Sequence, residues 1–289
     1  MTIATIDIGG TGIKFASLTP DGKILDKAST ATPETLEELL AWLDQRLSER
    51  DYRGIAMSVP GAVHQETGVI EGISAIPYIH GFSWYEALAH HKLPIHLEND
   101  ANCVGLSELL AHPEIENAAC VVIGTGIGGA MIINGKLHRG RHGLGGEFGY
   151  MTTIEPAERL NNWSQLASTG NMVRYVIEKS GQSDWDGRKV YQEAAAGNAL
   201  CQEAIERMNR NLAQGLLNIQ YLIDPDVISL GGSISQNPDF IKGVQKAVDI
   251  FVERYEEYTI APVIQACTYQ ADANLYGALV NWLQEENQW

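Results

Sequence analysis

Two stretches of this sequence combine glycine with residues that can do phosphate chemistry. The first runs from Asp7 through the loop Gly9-Gly10-Thr11-Gly12 to Lys14, and the second is Gly124-Thr125-Gly126-Ile127-Gly128-Gly129. Because glycine has no Cβ, both loops can bring backbone N–H groups close to phosphate. A carboxylate at position 7 could organise Mg²⁺ beside the phosphates. Together the loops are typical of a clamp on ATP, although each alone could be a tight turn.

The second stretch also satisfies G-x-G-x-x-G, which is the pattern of dinucleotide-binding loops. In that fold the loop must open a helix, whose N-terminus meets the pyrophosphate. Here an apolar strand pattern, residues 130–133, follows the loop, and Asn134-Gly135 then turns the chain back. The context therefore argues against a nicotinamide cofactor.

Three further positions could carry chemistry, and each has a plainer alternative. Asn99-Asp100 lies between a predicted strand and a predicted helix, so Asp100 could be a general base or part of a helix cap. Glu147, in a glycine-rich loop, could accept hydrogen bonds from sugar hydroxyls or be a solvated loop residue. Gly231-Gly232 could be a turn or a flat surface against which a nucleoside lies.

The elements that must position these residues follow a repeated plan. Residues 2–8 and 118–123 are predicted strands, and each is followed by a glycine loop, a second strand and an X-Gly turn, at Asp21-Gly22 and at Asn134-Gly135. This pattern indicates an internal duplication of topology. Thr32 is predicted to be the N-cap of a helix that begins at Pro33, and residues 62–81 show no clear element. Alternating strands and helices predict an α/β fold, and the hairpins predict mixed sheets.

Composition narrows the class of protein. The chain has 289 residues, 45% of them hydrophobic, and a formal net charge of −16. Such acidity disfavours a general nucleic-acid binder. Its four cysteines form no CxxC pair, and no apolar run approaches the ~20 residues of a membrane span. The N-terminal residues resemble a first strand more than a signal peptide, so a soluble cytoplasmic protein is expected.

Six motifs, in order along most of the chain, resemble those of the ROK family of bacterial sugar kinases and regulators. They include both glycine loops, which resemble the two phosphate motifs of the family, and Gly231-Gly232, which resembles its adenosine motif. The other three, which resemble the sugar-side loop, the catalytic motif and the sugar-binding glutamate loop, are Val59-Pro60-Gly61, Glu98-Asn99-Asp100-Ala101-Asn102 and Gly145-Gly146-Glu147-Phe148-Gly149.

The resemblance implies an actin-like, ribonuclease-H-like fold with two lobes and a central cleft, where sugar and ATP would meet. The expected lobes are residues 1–112 with the terminal helix 273–289, and residues 113–272. The implied activity is ATP-dependent phosphorylation of a hexose hydroxyl, O6 of glucose or of a β-glucoside, with Mg²⁺ as cofactor. Asp100 would be the base, Asp7 would act on Mg²⁺ indirectly, and Gly61, Asn99, Glu147 and Tyr150 would bind sugar.

The sequence departs from the family pattern beside the sugar loop. Tyr150 stands where many members carry histidine, and residues 151–162 contain no cysteine, so the zinc motif of the family is missing. Ser164 aligns near a sugar-binding glutamate of typical members. Without zinc, the loop would be held by its own packing, for which Phe148 and Tyr150 are the candidates, although Tyr150 could instead reach the sugar. The zinc-free loop is similar to that of bacterial β-glucoside kinases, which favours glucose-like substrates.

Several alternatives stay open. N-acetylmannosamine kinase is the alternative activity within the family, and a sugar sensor without catalysis is the alternative of another class. Because ROK repressors carry an N-terminal helix-turn-helix and this chain begins at a strand, a repressor is not expected. The oligomeric state is open, with a homodimer among the options.

Overall fold

The computed structural model describes residues 1–154, 160–255 and 258–289, which form two compact units. Unit 1 contains Met1–Glu114, Arg139–Gly145 and Ala271–Trp289, and unit 2 contains Ile115–His138 and Gly146–Gln270. Residues 139–145, which the sequence placed in the second lobe, thus group with unit 1. The predicted lobe boundaries otherwise stay a prediction.

Unit 1 is built on a five-stranded mixed sheet of order β3-β2-β1-β4-β7. β2 pairs antiparallel with both β1 and β3, whereas β1, β4 and β7 run parallel. A separate hairpin pairs β5 with β6. The strands are β1 (Ile3–Ile8), β2 (Gly12–Leu18), β3 (Ile24–Ala31), β4 (Gly54–Val59), β5 (Ala62–His64), β6 (Val69–Glu71) and β7 (Ile95–Asn99).

Helices cover both faces of this sheet, which explains why β1 and β4 are buried at every residue. One face packs against α1, whose apolar stripe is Leu39, Leu43 and Leu47. The other packs against α3 and the C-terminal helix, with Trp282 at its centre. The helices that precede unit 2 are α1 (Leu36–Leu47), α2 (Trp84–Ala87) and α3 (Asp100–Ala111).

Unit 2 repeats the plan with a sheet of order β10-β9-β8-β13-β14. β9 is antiparallel to β8 and β10, and β8, β13 and β14 are parallel, so the predicted duplication of topology is present. A small hairpin pairs β11 with β12. The strands are β8 (Ala118–Ile123), β9 (Ile127–Ile133), β10 (Lys136–Leu137), β11 (Thr152–Ile154), β12 (Leu160–Asn162), β13 (Val227–Gly231) and β14 (Ile264–Ala266).

The helices of unit 2 share one apolar core with its sheet, in which Trp163 is almost completely buried. They are α4 (Trp163–Ala167), α5 (Thr169–Ser180), α6 (Gly187–Ala195), α7 (Ala199–Ile223) and α8 (Pro238–Arg254). The chain then returns to unit 1 in α9 (Ala273–Glu285). None of these helices is long and apolar enough to cross a membrane, in the part of the chain that the structure describes.

Two local predictions were wrong. The segment 62–81 is not irregular, since it holds the β5–β6 hairpin and a 3-10 turn, Pro77–Ile79. The N-cap of α1 is Thr35 and not Thr32. Thr32 instead donates its hydroxyl to the carbonyl oxygen of Gly9, at 2.6 Å. A hydroxyl that looked like a cap in the sequence therefore supports the first glycine loop.

Candidate active site

A row of polar residues crosses the sheet of unit 1 at one level. Strand register places Lys14 opposite Asp7, Asp7 opposite Ser58, and Ser58 opposite Glu98. Residues in direct register on neighbouring strands share a face of the sheet. Four polar side chains from β2, β1, β4 and β7 are thus brought to one edge of the core, beside the first glycine loop.

The carboxylate of Asp7 is the centre of this row. It is only 6% exposed, and both of its oxygens accept hydrogen bonds. Oδ2 accepts from Lys14 Nζ at 3.0 Å, while Oδ1 accepts from Asn274 Nδ2 at 2.9 Å and Ser58 Oγ at 3.3 Å. These donors fix the carboxylate and explain how a charge remains in a buried position. They also suit an indirect contact with Mg²⁺ through water, because no oxygen is left without a donor.

The first glycine loop is held at its ends and open at its tip. The Gly9 N–H donates to the Gly12 carbonyl at 3.1 Å, which closes the turn between β1 and β2. Gly10 and Thr11 at the tip are exposed. The loop can therefore present backbone N–H groups to an anion, as its composition predicted.

Asp100 begins α3, but it is not the helix cap. Asn99 occupies the N-cap, where its Oδ1 accepts from the N–H of Ala101 at 2.9 Å and of Asn102 at 3.2 Å. Asp100 Oδ1 accepts from the Ala101 N–H at 2.8 Å and from Asn99 Nδ2 at 3.1 Å. Within the described residues no donor reaches Asp100 Oδ2. One carboxylate oxygen is therefore available to a substrate.

Two effects raise the pKa of Asp100. Burial is the larger, because it penalises the charged form, and the negative charge of Asp7 adds to it. The N–H of Ala101 and the amide of Asn99 oppose this shift by stabilising the ionised carboxylate. A carboxylate with a raised pKa is a better proton acceptor for a hydroxyl than an ordinary surface aspartate.

Gly61 connects the predicted sugar-side loop to this helix start. Its carbonyl oxygen accepts from Asn99 Nδ2 at 3.1 Å. Its φ is +103°, and a Cβ there would lie 2.7 Å from the Glu71 carbonyl oxygen. Only glycine fits this backbone, so the loop position beside Asn99 is fixed by sterics as well as by the hydrogen bond.

The second glycine loop, in unit 2, is fastened to two helices. Gly124 N–H donates across the loop to the Gly126 carbonyl at 2.9 Å, and the Gly124 carbonyl accepts from Gly170 N–H, in α5, at 3.1 Å. Ser164, in α4, accepts from the Ile127 N–H at 2.9 Å. The exposed residues of the loop are Gly124, Thr125 and Gly126. The exposed tip at Thr125 and Gly126 can therefore present backbone N–H groups to an anion, as in the first loop.

The Glu147 loop packs on β9 through glycines. A Cβ on Gly129 would lie 2.4 Å from the Phe148 ring, and one on Gly146, whose φ is +90°, would lie 2.8 Å from Ala130 Cα. Phe148 is buried, and Glu147 is half-buried at the start of the 3-10 turn Phe148–Tyr150. This close packing supports the loop.

Tyr150 ends the same turn, and its side chain points away from the core. It is 72% exposed, so the interpretation of Tyr150 as a packing residue is wrong. Only Phe148 of the two predicted aromatic anchors fills that role.

Gly232 leads into a cavity of about 600 Å³ in unit 2. Its φ is +89°, and a Cβ would lie 2.1 Å from the Ile123 carbonyl oxygen, so the end of β13 lies tightly against the end of β8. The cavity is lined by residues that follow Gly232 and by the starts of α5 and α6, among them Ser233, Asn237, Thr169, Asp186 and Tyr191.

Two buried polar atoms in the cavity wall lack a partner among the residues that the structure describes. They are Thr169 Oγ1 and Tyr191 OH, and burial raises the pKa of the Tyr191 hydroxyl further above its usual range. A buried hydroxyl without a partner is costly. Both atoms are therefore suited to a polar ligand such as a nucleoside.

Family comparison accounts for this arrangement of loops. The model of the ROK family matches residues 3–285, nearly the whole chain. The chain belongs to the ROK family. It is 35% identical to a β-glucoside kinase of Listeria monocytogenes, over 100% of this chain and 99% of that protein, and 27% identical to a glucokinase of Halalkalibacterium halodurans, over 98% and 95%.

The fold is equally well matched. A ROK family protein from Streptococcus pneumoniae TIGR4, in complex with sucrose, is 88% identical, with a TM-score of 0.98 over 100% of both chains. The predicted ROK membership, actin-like α/β fold and sugar kinase class are confirmed, and kinase relatives imply ATP as a substrate.

Sequence reasoning missed several residues of this ROK protein. Nothing in the spacing of Thr169, Asp186 or Tyr191 pointed to the cavity, because Thr169 starts α5 whereas Asp186 and Tyr191 belong to the N-cap and body of α6. Ser164 was singled out for a missing sugar contact, but its hydroxyl is bonded to the backbone of Ile127, at both N–H and carbonyl. The Glu98–Arg139 ion pair was also missed, since 41 residues separate its partners.

The predicted absence of the family zinc site rests on the missing cysteines. Residues 155–159 of that segment lie outside the described part of the chain. Among the described residues, three side chains elsewhere could hold a metal: Asp44, His90 and His91, whose ligand atoms lie within 4.8 Å of one another. Both histidine Nε2 atoms contact Asp44 Oδ1, at 3.0 and 2.7 Å, so hydrogen bonding accounts for the cluster.

Proposed function

We propose that this protein transfers the γ-phosphoryl group of ATP to O6 of glucose or of a β-glucoside, with Asp100 as the general base. The observation that carries the proposal is the carboxylate of Asp100, which is largely buried, has a raised pKa and keeps one oxygen without a donor from the described residues. Phosphoryl transfer to an alcohol needs such a group to accept the hydroxyl proton.

Positioning of the alcohol is assigned to the neighbours of Asp100. Asn99 is held by Gly61 and by its capping bonds, so the start of α3 and the carboxylate of Asp100 would be kept in one orientation beside the sugar. Glu147 would accept hydrogen bonds from ring hydroxyls, and the exposed Tyr150 would add a contact in place of the usual histidine. In-line transfer requires the hydroxyl oxygen close to the γ-phosphate, so orientation matters as much as affinity.

ATP is assigned to the two glycine loops and the unit 2 cavity. Backbone N–H groups of Gly10 and Thr11 and of Thr125 and Gly126 would bind phosphates, with Lys14 near the first loop. Gly9 and Gly124 would shape the two loops, because their own N–H groups close the turns. Gly128 and Gly129 shape the second loop, and Gly231 and Gly232 lead to the cavity that would take the nucleoside. Mg²⁺, held indirectly by Asp7, would neutralise charge on the phosphates. No zinc is required.

The substrate class follows from the relatives and from the sugar loop. The Listeria monocytogenes relative is named a β-glucoside kinase. The structure of the Streptococcus pneumoniae relative is that of its complex with sucrose, a disaccharide. Both support a glucoside acceptor. N-acetylmannosamine is less supported, since the kinase named for it from Vibrio cholerae is 27% identical over 86% of this chain, and a Listeria monocytogenes protein described with the same activity is 32% identical over 99%, both below the 35% of the β-glucoside kinase. A cytoplasmic enzyme, as a monomer or homodimer, fits this role.

A substrate panel tests the proposal. Coupled assays with Mg²⁺ and ATP should give turnover with glucose or a β-glucoside, and little with N-acetylmannosamine. Chelation should abolish activity, Mg²⁺ should restore it, and elemental analysis should find no stoichiometric zinc. Preference for N-acetylmannosamine would overturn the substrate class. Tight sugar binding without turnover on any sugar would identify a sensor instead of an enzyme.

A further inference from the structure

Arg139 makes three side-chain contacts within unit 1. Its Nε donates to Glu98 Oε2 at 2.6 Å, and its Nη2 donates to Asn281 Oδ1 at 2.7 Å and to Glu285 Oε1 at 2.9 Å. Asn281 and Glu285 belong to α9, whereas Glu98 belongs to β7. The guanidinium therefore fastens the edge strand of the sheet to the terminal helix.

Glu98 carries this attachment to the start of α3. Its side chain is 2% exposed, and its Oε1 accepts from the Asn99 N–H at 2.8 Å and from Asn102 Nδ2 at 2.9 Å. A buried carboxylate needs a charged partner, and Arg139 is the cation that contacts it among the residues described. The backbone of Asn99 is thus fixed by a carboxylate that Arg139 in turn fixes.

Arg139 also closes the segment that follows it in the chain. Its carbonyl oxygen accepts from the Gly145 N–H at 2.8 Å, so residues 140–144 form a loop that starts and ends at Arg139. Gly140 and Gly143, with φ of +70° and +69°, allow the chain to turn there. Glu147 follows Gly145 by only two residues. The main chain of Arg139 therefore fixes the point from which the Glu147 loop departs.

The same segment borders open space beside the sugar-side loop. Residues 139–143 and the β5–β6 hairpin line a cavity of about 470 Å³ within unit 1. This hairpin begins directly after Gly61, whose carbonyl accepts from Asn99. Displacement of Arg139 would thus shift both Asn99 and the backbone that follows Gly61 in the proposed sugar site.

We infer that Arg139 is a positioning residue for sugar phosphorylation, which holds Glu98, and through it Asn99 and Asp100, in register with the loop that leads to Glu147. The inference rests on the proposed function. Arginine suits the role because its planar fork reaches three acceptors at fixed angles, which the single ammonium of lysine cannot do. The role is confined to the sugar side, because the hydrogen bonds of Arg139 within the described residues do not involve either glycine loop of the phosphate motifs.

Three variants and a matched control test this inference in the full-length protein. Arg139→Met removes the fork, and Arg139→Lys keeps only the charge. Glu98→Gln with Arg139→Met removes both charges, so that no buried carboxylate is left without a partner. Arg46→Met is the control, because Arg46 is an arginine of unit 1 of similar exposure that contacts a carboxylate, Glu49, at 2.6 Å.

The expected loss is in sugar use and not in ATP binding. Arg139→Met should lower kcat/KM for the sugar by about 10²-fold, the size of effect that a 1 Å misplacement causes, with the KM for ATP nearly unchanged. Arg139→Lys should keep only part of the sugar kcat/KM that Arg139→Met loses. The double variant should regain the thermal stability that Arg139→Met loses, but not its sugar kcat/KM. Arg46→Met should leave both kinetic constants near those of the wild type.

Two results would overturn the inference. One is a double variant with wild-type kcat/KM for the sugar, which would reduce the ion pair to a contribution to stability. The other is equal loss in sugar and ATP constants, which would indicate general unfolding. A wild-type protein without turnover on any sugar is a separate failure, because it removes the proposed function and this inference with it.

Discussion

The two sheets of this protein have the same strand order, but the side chains in register beside the glycine loop differ in polarity. In unit 1, register across the strands gives Lys14, Asp7, Ser58 and Glu98. In unit 2, the residues that pair beside the second loop are Gly128, Val122 and Gly231. One row is polar and charged, and the other has no polar side chain at all.

This difference would give the two units different means of contacting phosphate under the proposed function. Unit 1 adds side-chain charge to its loop, through Asp7 and Lys14. In unit 2 the glycines allow other backbone segments to lie against the loop, which leaves backbone N–H groups as its means of contact. Under that proposal, the side chains of unit 1 would take part in the reaction and the loop of unit 2 would contact the nucleotide. Changes of charge should harm unit 1 most, and changes of volume should harm unit 2.

The largest effect is expected from Asp100→Asn, the sharpest change of charge in unit 1. Asparagine keeps the shape but cannot accept the hydroxyl proton, so kcat should fall by at least ~10²-fold, while sugar still binds. Stability should be kept, because Asn99 and not Asp100 caps α3. Steady-state kinetics, sugar titration and thermal melting measure the three quantities. Full turnover in the variant would remove Asp100 as the base.

The stability of the wild type should depend on pH because the pKa of Asp100 differs between the folded and unfolded states. Burial raises the pKa of Asp100, so its protonated form stabilises the fold below the unfolded pKa of about 3.9, and this stability is lost as pH rises through the raised folded pKa. At pH values above the raised pKa, Asp100→Asn should therefore melt at a temperature equal to or higher than that of the wild type.

Thr35→Ala removes the cap of α1 outside the candidate site. It should lower the free energy of unfolding by about 1 kcal/mol and leave kcat unchanged.

Glu147 is the exception to this comparison, because it is a candidate site carboxylate that belongs to unit 2. Glu147→Gln tests its role. The amide keeps the volume but weakens hydrogen bonds from sugar hydroxyls, each of which contributes about 1.5–3 kcal/mol with a charged acceptor. The KM for the sugar should rise at least about tenfold, and the KM for ATP should change little. An unchanged sugar KM would exclude Glu147 from the sugar site.

Tyr150→Phe is the matched control for that variant, because it lies in the same turn and loses only a hydroxyl. A small rise in sugar KM would show that the exposed Tyr150 hydroxyl contacts the sugar. No rise would leave Glu147 as the contact from this loop, and stability should be unchanged in either case, since Tyr150 is not packed.

The smallest kinetic effect is expected from volume in unit 2, tested by Gly232→Ala against Gly135→Ala. Both glycines have positive φ, at +89° and +68°, so both variants accept strain of about 1–2 kcal/mol. Only at Gly232 does the new Cβ also meet backbone, 2.1 Å from the Ile123 carbonyl oxygen, whereas nothing lies within 4 Å at Gly135. Gly232→Ala should lose more stability and raise the KM for ATP. Equal losses would show that φ alone matters there.

The sequence by itself determined the class of fold and proposed most of the candidate site. Each glycine loop alone could be a tight turn, but two such loops after apolar strands favour phosphate binding, because glycine lets backbone approach an anion closely. Repetition of strand, loop, strand and X-Gly turn was visible because turn chemistry is local. The missing cysteines likewise determined, without any structure, that the zinc motif of the family is absent.

The tertiary structure decided how those residues are held and which of them are exposed. It made Asn99 the cap of α3, left one oxygen of Asp100 without a donor from the described chain, turned Thr32 from a predicted cap into a support of the Gly9 loop, and exposed Tyr150. It also paired Glu98 with Arg139 and brought three helix starts to one cavity. Such contacts join residues far apart in the chain. No local propensity specifies them, because burial and partner geometry arise only when the sheets and helices pack.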